Sequence, residues 1–537
     1  MSDPTPEDAS PTAGTDDATT QSGATQSDAT RSSAARSNAT DSAESRNPAV
    51  RRLADWDADR LGTLADRYGT PLYVIDRDRV RENCARLRDA LPDADVRYAV
   101  KAHTGQAVLR TVERAGLAAE CASAGELERA LAAGFPGDRL HYTAVNPPAR
   151  DLDRVVDRWR EHPEITITAG AVDTLDRLAE RGFDGRVCLR VTPGVGAGHH
   201  EKVRTGAHAK FGVPYDRAAS VVREATDRFE VVGIHAHAGS GIDAAGLDRH
   251  RELVSRMGAL ARRLVAPESE GVEDAGADPV ALEYVDVGGG FGVPYRDEEP
   301  PLDLSAVAAA TREAFETALG DAGASTAGDA RNDHDLDLVV EPGRYVVADA
   351  GVLLTRVNTV KPAPETTVVG VDAGMTDLLR PAMYDAFHPI RNCSAETGAA
   401  TETDGEVERD DRETVPVTVA GPICETADVF CEDRPLPAPK RGDLLAIGIA
   451  GAYGYEMASQ YNSRPRPAEV AIGAEKDASA GTDTGSDATD SGPTLVRDRE
   501  TIADVTAVER RAGYEGLAAL EDPARSARGT NATEDDR

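Results

Sequence analysis

Short apolar runs and longer helix-period stretches alternate regularly between residues 96 and 340. The runs fall at Val96–Val100, Leu117–Cys121, Leu140–Val145, Ile165–Thr168, Val187–Val191, Val231–His235, Leu282–Val287 and Leu336–Val340, and read as strands. The intervals hold amphipathic stretches such as Ala124–Ala133, Leu152–Trp159, Ala171–Glu180, Tyr215–Arg228, Leu247–Leu264 and Leu304–Leu319. Eight strands separated by helices predict an α/β fold, a TIM-like (β/α)8 barrel, whose reactive groups gather at the carboxyl ends of the strands. Lys101, Ser123, Asn146, His237, Gly288 to Gly290 and Glu341 all sit just after a strand. Unrelated polar residues would not land repeatedly on one rim.

Past the eighth run the pattern changes to β-rich segments without regular helices: Tyr345–Thr355, Thr366–Asp372, Thr414–Ala420, Asp443–Ile447 and Arg466–Ile472. These predict a second, mostly β domain, a small barrel or sandwich, and Pro71–Ile75 is expected to join it across the chain. Residues 1–46 contain no Leu, Ile, Val or aromatic residue and are expected to form a disordered acidic tail. The expected layout is a β domain from 47–76 and 345–520, a cofactor-binding barrel over 77–344, and a disordered tail at 521–537. Polar insertions are expected near 322–335, 394–413 and 476–493.

A chain of 537 residues is long enough for two folded domains. Its net charge of −34 argues against nucleic acid or an anionic membrane surface as partner. Only six of its 60 basic residues are lysines. Acidic, arginine-rich composition suggests a protein of a halophile, hydrated in strong salt, although a GC-rich genome would also favour Arg over Lys. There is no apolar run of about 18 residues and no basic-then-apolar leader, so the expected location is the cytoplasm, with no membrane partner. Six scattered cysteines form neither a disulfide framework nor a metal cluster, and no metal is expected.

Where lysine is rare, Lys101 at a strand end draws attention. An amine with a lowered pKa attacks carbonyls and can form a Schiff base with an aldehyde, which arginine cannot. An isolated strand-end lysine more often just solvates its charge. Gly288, Gly289 and Gly290 permit close backbone approach to an anion, though such a string also makes a plain tight turn. Ser240 could add a hydroxyl to the same anion. Glu341 is a carboxylate that could hold a ring nitrogen protonated, or simply pair with Arg344. Arg380 offers bidentate recognition of a carboxylate, with surface solvation as its alternative. Cys424, flanked by Gly421-Pro422 and Glu425-Thr426, is read as a reactive thiol able to donate a proton.

Eight motifs occur in order: Tyr98-Ala99-Val100-Lys101-Ala102; Arg190-Val191-Thr192-Pro193; Thr205-Gly206 with Lys210-Phe211-Gly212; His235-Ala236-His237-Ala238-Gly239-Ser240; Asp286-Val287-Gly288-Gly289-Gly290-Phe291-Gly292; Glu341-Pro342-Gly343-Arg344; Cys424-Glu425-Thr426-Ala427-Asp428; and Gly451-Ala452-Tyr453 with Tyr461-Asn462-Ser463-Arg464. From about Pro71 to Val470 the chain resembles the diaminopimelate decarboxylases. The resemblance implies pyridoxal 5'-phosphate on Lys101, with His237 stacked on its ring and Glu341 at its nitrogen. It implies cofactor contacts from Ser240, Gly288 to Gly290, Pro342, Gly343, Arg344 and Tyr453. Substrate contacts are implied for Arg344, Arg380, Tyr384, Glu425 and Tyr453. It also implies a homodimer in which Cys424 and Glu425 enter the partner's site, so that the catalytic set is Lys101, Cys424, Glu341 and His237.

The implied reaction is decarboxylation of meso-2,6-diaminopimelate to L-lysine, the last step of lysine biosynthesis by that route. Lys101-Ala102-His103 departs from the usual Lys-Ala-Asn, Ser123-Ala124-Gly125-Glu126 from Ser-Gly-Gly-Glu, and Thr192 stands where Asn is common. Sister barrel decarboxylases of ornithine, arginine or carboxynorspermidine are the nearest alternative. A cationic substrate tail would want an Asp, whereas Arg380 and Glu425 answer a carboxylate and an amine. A racemase fits the long carboxyl domain less well, and a cofactor-free regulatory homologue is opposed by Lys101, Gly288 to Gly290 and Glu341.

Overall fold

The computed structural model describes residues 49–195, 212–237, 239, 242, 246–266, 277–320, 336–396, 412–474 and 492–509. Outside them lie the expected terminal tails, the insertion near 322–335, most of those near 394–413 and 476–493, the Thr205-Gly206 and Lys210-Phe211 motif residues, and Ser240.

Strand β1 (Leu72–Asp76) precedes a closed parallel barrel. Its members are β2 (Ala94–Ala99), β3 (Ala118–Cys121), β4 (Leu140–Tyr142), β5 (Thr166–Ala169), β6 (Arg186–Thr192), β8 (Glu230–His235), β9 (Tyr284–Asp286) and β10 (Asp337–Val340). The order is β5-β4-β3-β2-β10-β9-β8-β6, and pairing of β5 with β6 closes the ring; the short β7 (Val213–Pro214) adds to β6. All eight apolar runs are therefore barrel strands. Helices Ala124–Ala133 and Leu304–Leu319 begin where their caps dictate, since Ser123 accepts the Glu126 amide and Asp303 that of Ala306.

The second domain is built on a nine-stranded mixed sheet. It holds β1 with β11 (Gly351–Pro362), β12 (Thr367–Val371), β13 (Ile390–Asn392), β14 (Thr414–Ala420), β15 (Val429–Pro437), β16 (Leu444–Ile447), β17 (Ala468–Ile472) and β18 (Thr494–Arg497). As expected, β1 joins it, antiparallel to β11 and parallel to β17. Side chains of β1 alternate: Leu72 and Val74 pack with Leu61 and Leu64 of helix Ala58–Tyr68, while Tyr73 packs with Leu353, Val369 and Ile447 on the other face. One expectation fails. The run Tyr345–Thr355 begins as a short helix, Arg344–Val347, and a 3-10 turn, Ala348–Ala350, whose apolar residues join the barrel core; the strand starts only at Gly351.

Candidate active site

A cavity of about 320 Å³ opens at the carboxyl ends of the barrel strands, lined by Lys101, Glu120, Arg190, His237, Glu341 and Tyr453 among others. Strand β2 stops at Ala99, so Lys101 sits in a 3-10 turn, Val100–Ala102, just past it. Its Nζ lies 2.5 Å from Oε2 of Glu120 on β3. The expected lowered pKa is overturned here. Burial opposes the charge, yet Glu120 together with Tyr453 and Glu341 outweighs it and holds the amine above its ordinary value. Glu120 was not singled out in the sequence. Burial pushes its carboxyl up to about 7, with Lys101 opposing and Glu341 assisting, and its hydrogen bond to Nζ fixes where the amine stands in the cavity.

Glu341 follows β10 and is 6% exposed. Its Oε2 is 3.2 Å from Nε2 of His235, and no ion pair joins it to Arg344 among the described residues. Burial alone would raise its pKa, but His235, which hydrogen-bonds to it, and the Lys101 ammonium hold the carboxyl well below the usual range. Among the described residues its Oε1 is buried without a hydrogen-bond donor, beside the Asp286 carboxyl, whose pKa burial and Glu341 raise. His235, Asp286 and Glu341 bring ligand-type atoms within 4.8 Å of one another, a grouping explained by the histidine–carboxylate pair without a metal. Burial drives the His237 imidazole down to about 3, so it is neutral, and its Nδ1 accepts the Gly289 amide at 3.1 Å.

The glycine turn after β9 is required by space. A Cβ on Gly289 would stand 2.1 Å from the Glu341 carbonyl, and one on Gly290, at φ +109°, would meet that of Gly239 at 2.7 Å. Not all three amides are available to an anion. Gly288 N donates to Asp286 at 2.8 Å and Gly289 N to His237, whereas Gly290 N has no partner among the described residues.

Arg344 and Arg380 converge on one phenol. Arg344 reaches the Tyr295 oxygen at 2.5 Å and Arg380 at 3.0 Å, and burial's upward push on the Tyr295 pKa is overcome by the two guanidiniums. Arg380 is 4% exposed, which removes surface solvation as its explanation. It also donates to Nε2 of His388, whose Nδ1 donates to the Gly448 carbonyl. Tyr384 lies in the same short helix, Arg380–Tyr384, and is half-buried. Tyr295 comes from a loop, and only its position after the glycine turn could have flagged it. Tyr453, in the left-handed region at φ +57°, donates its amide to Ala102 and lies under the Arg344 guanidinium.

Cys424 and Glu425 stand apart from this cavity's lining. They lie on the loop between β14 and β15, where Cys424 is the one exposed cysteine of six, in contact with Asn462, and Glu425 accepts from the Tyr461 hydroxyl. The other five thiols are buried, as when burial pushes Cys84 up to about 12. Asn146 is exposed and Ser123 is a helix cap.

These residues fit pyridoxal phosphate: an amine, an ionised carboxylate with an orphaned buried oxygen, and a glycine turn that admits no side chain share one cavity. A model of the pyridoxal-dependent decarboxylases, pyridoxal binding domain, matches residues 77–348. The diaminopimelate decarboxylase of Methanothermobacter thermautotrophicus is 41% identical over 451 residues, 82% of this chain and 92% of its own. That of Escherichia coli K12 is 36% identical over 472 residues, 85% and 97% of the two chains. The crystal structure of diaminopimelate decarboxylase from Helicobacter pylori complexed with L-lysine matches with a TM-score of 0.67 and 28% identity, covering 84% of this chain and 100% of that one. Likeness of this extent, in sequence and in backbone, means that the chain belongs to the diaminopimelate decarboxylase family of pyridoxal-dependent decarboxylases.

Proposed function

We propose that the chain decarboxylates meso-2,6-diaminopimelate to L-lysine and carbon dioxide, the last step of lysine biosynthesis by the diaminopimelate route. The observation that carries it is the single cavity joining Lys101 and Glu341, with Arg344 beside Arg380 at Tyr295. Pyridoxal phosphate, when bound, supplies an aldehyde that captures amines and a ring that accepts the electron pair of a breaking bond.

Lys101 is the amine that would hold the aldehyde, and Glu120, hydrogen-bonded to its Nζ, positions it. Glu341, ionised and with a free oxygen, keeps the ring nitrogen protonated. The neutral ring of His237 stacks on the cofactor and excludes water from that face. Gly290, Ser240 and Arg344 take the phosphate, with Pro342 and Gly343 shaping the wall. Arg380 and Tyr384 bind the distal carboxylate of the substrate, and Tyr453 touches both molecules.

Cys424 is the proton donor to the reacting carbon and Glu425 the partner of the distal amine, both serving the cavity of a second subunit. Their exposure and their distance from their own chain's cavity lining support this reading, which makes the homodimer a catalytic requirement. Among the described residues no helix is long and apolar enough to cross a membrane. We place the enzyme in the cytoplasm, of a halophile, with neither nucleic acid nor membrane as partner. Carbon dioxide release from a panel of meso-diaminopimelate, ornithine, arginine and carboxynorspermidine, with and without added pyridoxal phosphate, tests the assignment. Preference for any substrate other than diaminopimelate refutes it.

A further inference from the structure

The residue after Lys101's turn is buried in a network of charges that the chemistry above does not use. His103 is 3% exposed, and its Nδ1 accepts the Gly105 amide at 3.2 Å. Its proton is therefore on Nε2, which donates to Oε1 of Glu469 on β17 at 2.6 Å. The other oxygen of Glu469 lies 3.1 Å from Nε of Arg497 on β18, an ion pair without hydrogen-bond geometry. Arg497 then reaches Glu456 at 2.7 Å and lies over the Tyr455 ring. Glu456 returns to the same loop by accepting the Thr104 amide at 3.0 Å and its hydroxyl at 2.8 Å.

The backbone of the loop is tied as tightly. Ala102 O accepts from Tyr453 N, His103 O from the Tyr98 hydroxyl and Thr104 O from Arg129. Three consecutive residues beside Lys101 are thus each held, the side chains of His103 and Thr104 by the β domain and the three carbonyls by Tyr453 of that domain and by Tyr98 and Arg129 of the barrel. Buried ionic groups add little net stability over well-packed apolar ones, so their value here lies in fixing one geometry.

We propose that His103 is a positioning residue for Lys101: through Glu469 and Arg497 it locks the lysine's turn to the β-domain sheet, so that the amine presents itself to the cavity in one orientation. The carboxyls of Glu469 and Glu456 are both held low against burial, the latter to about 2, His103 hydrogen-bonding to Glu469 and Arg497 supplying the positive charge beside both. The proposal rests on the cofactor reading given above.

The test compares wild type with His103→Leu, which removes the donor, and His103→Gln, whose amide nitrogen can replace Nε2. Cofactor-stripped protein is mixed with pyridoxal phosphate and the capture rate is followed by absorbance, alongside kcat, KM and the thermal midpoint. The expected result is a capture rate and kcat lower by roughly ten- to a hundredfold in His103→Leu, with KM little changed, and recovery of most of that loss in His103→Gln. A folded His103→Leu that captures and turns over at the wild-type rate overturns the proposal. Should His103→Leu not fold, Glu469→Gln decides: it keeps an acceptor but drops the charge, and an unchanged capture rate there overturns the proposal equally. A wild-type chain that captures no pyridoxal phosphate sinks the cofactor reading and this one with it, whereas normal wild-type capture with no effect in any variant sinks this one alone.

Discussion

Replacing Arg380 tests the substrate assignment most directly. The side chain is buried, and among the described residues both of its side-chain hydrogen bonds, to Tyr295 and His388, come from one terminal nitrogen, which leaves the rest of its fork for a ligand carboxylate. A hydrogen bond to a charged group is worth about 1.5–3 kcal/mol, so losing one such contact should cut kcat/KM roughly ten- to 150-fold. D-Lysine is the same molecule without the distal carboxylate. In wild type it should react more slowly than meso-diaminopimelate by a factor of that size, and Arg380→Met should erase the difference by slowing only diaminopimelate. Arg380→Lys should recover little, since an ammonium cannot form the two-pronged contact. The assay is initial-rate carbon dioxide release on both substrates, with a denaturant midpoint as control, because Nε2 of His388 loses its donor at a cost of about 1–3 kcal/mol. Equal slowing of both substrates by Arg380→Met would refute the reasoning and make the arginine a structural brace for Tyr295 and His388.

Other outcomes follow from the same geometry. Lys101→Ala should abolish turnover and the fixation of cofactor by borohydride, and full activity would remove the cofactor argument. Mixed with Cys424→Ala under conditions of subunit exchange, it should recover about a quarter of wild-type activity, since random mixing gives half the dimers one intact site; no recovery despite proven exchange would return Cys424 to its own subunit. Burial holds His250 at about 4, His388 at about 3 and His141 well below 6.5. At each of these histidines the unfolded chain binds more protons below pH 6.5, so its contribution to stability is full above that pH and is lost toward the folded pKa by about 1.4 kcal/mol per pH unit, whereas Glu120, raised to about 7, contributes in the opposite sense; in His250→Gln the urea midpoint should fall less, or rise more, between pH 7 and 5 than in wild type, and an unchanged pH dependence would contradict this. The charge of −34 predicts stability and activity that rise from dilute buffer into molar salt, where the Debye length shortens to about 3 Å. A dimer equally stable without salt would trace the composition to genome bias.

The barrel was legible because strands buried on both faces read as continuous apolar runs, and helix starts at Ser123 and Asp303 because caps are local. Residues Tyr345–Ala350 were not, since an apolar run broken only at Asp349 is too short to show a period that separates helix from strand. Strand β15 was missed for the opposite reason: an edge strand with two prolines and three charges carries no strand signal. At the site, Lys101 and Glu341 stood out by rim position. Glu120 lay hidden inside a strand, and its effect on Lys101 is a matter of distance across two strands that no spacing encodes. The same holds for His235 on Glu341 and for Tyr295 between two arginines. Arg380 could not be told from a surface residue until its burial was known.

The position of β1 has a consequence for biosynthesis. Its neighbours in the sheet are β11 and β17, so roughly 280 residues separate Leu72 from its partner Leu354 and nearly 400 from Ala468. As the chain leaves the ribosome, the whole barrel is made before β1 has anything to pair with, and five buried residues wait with their edges open. The barrel can close early and from local βα units, whereas the sheet is sealed last, from both ends of the chain at once. A permuted chain that begins at residue 351 and links its old carboxyl end to Ala49, keeping the helix that packs under β1, would make β1 after all its partners, and should refold with less aggregation than the natural order.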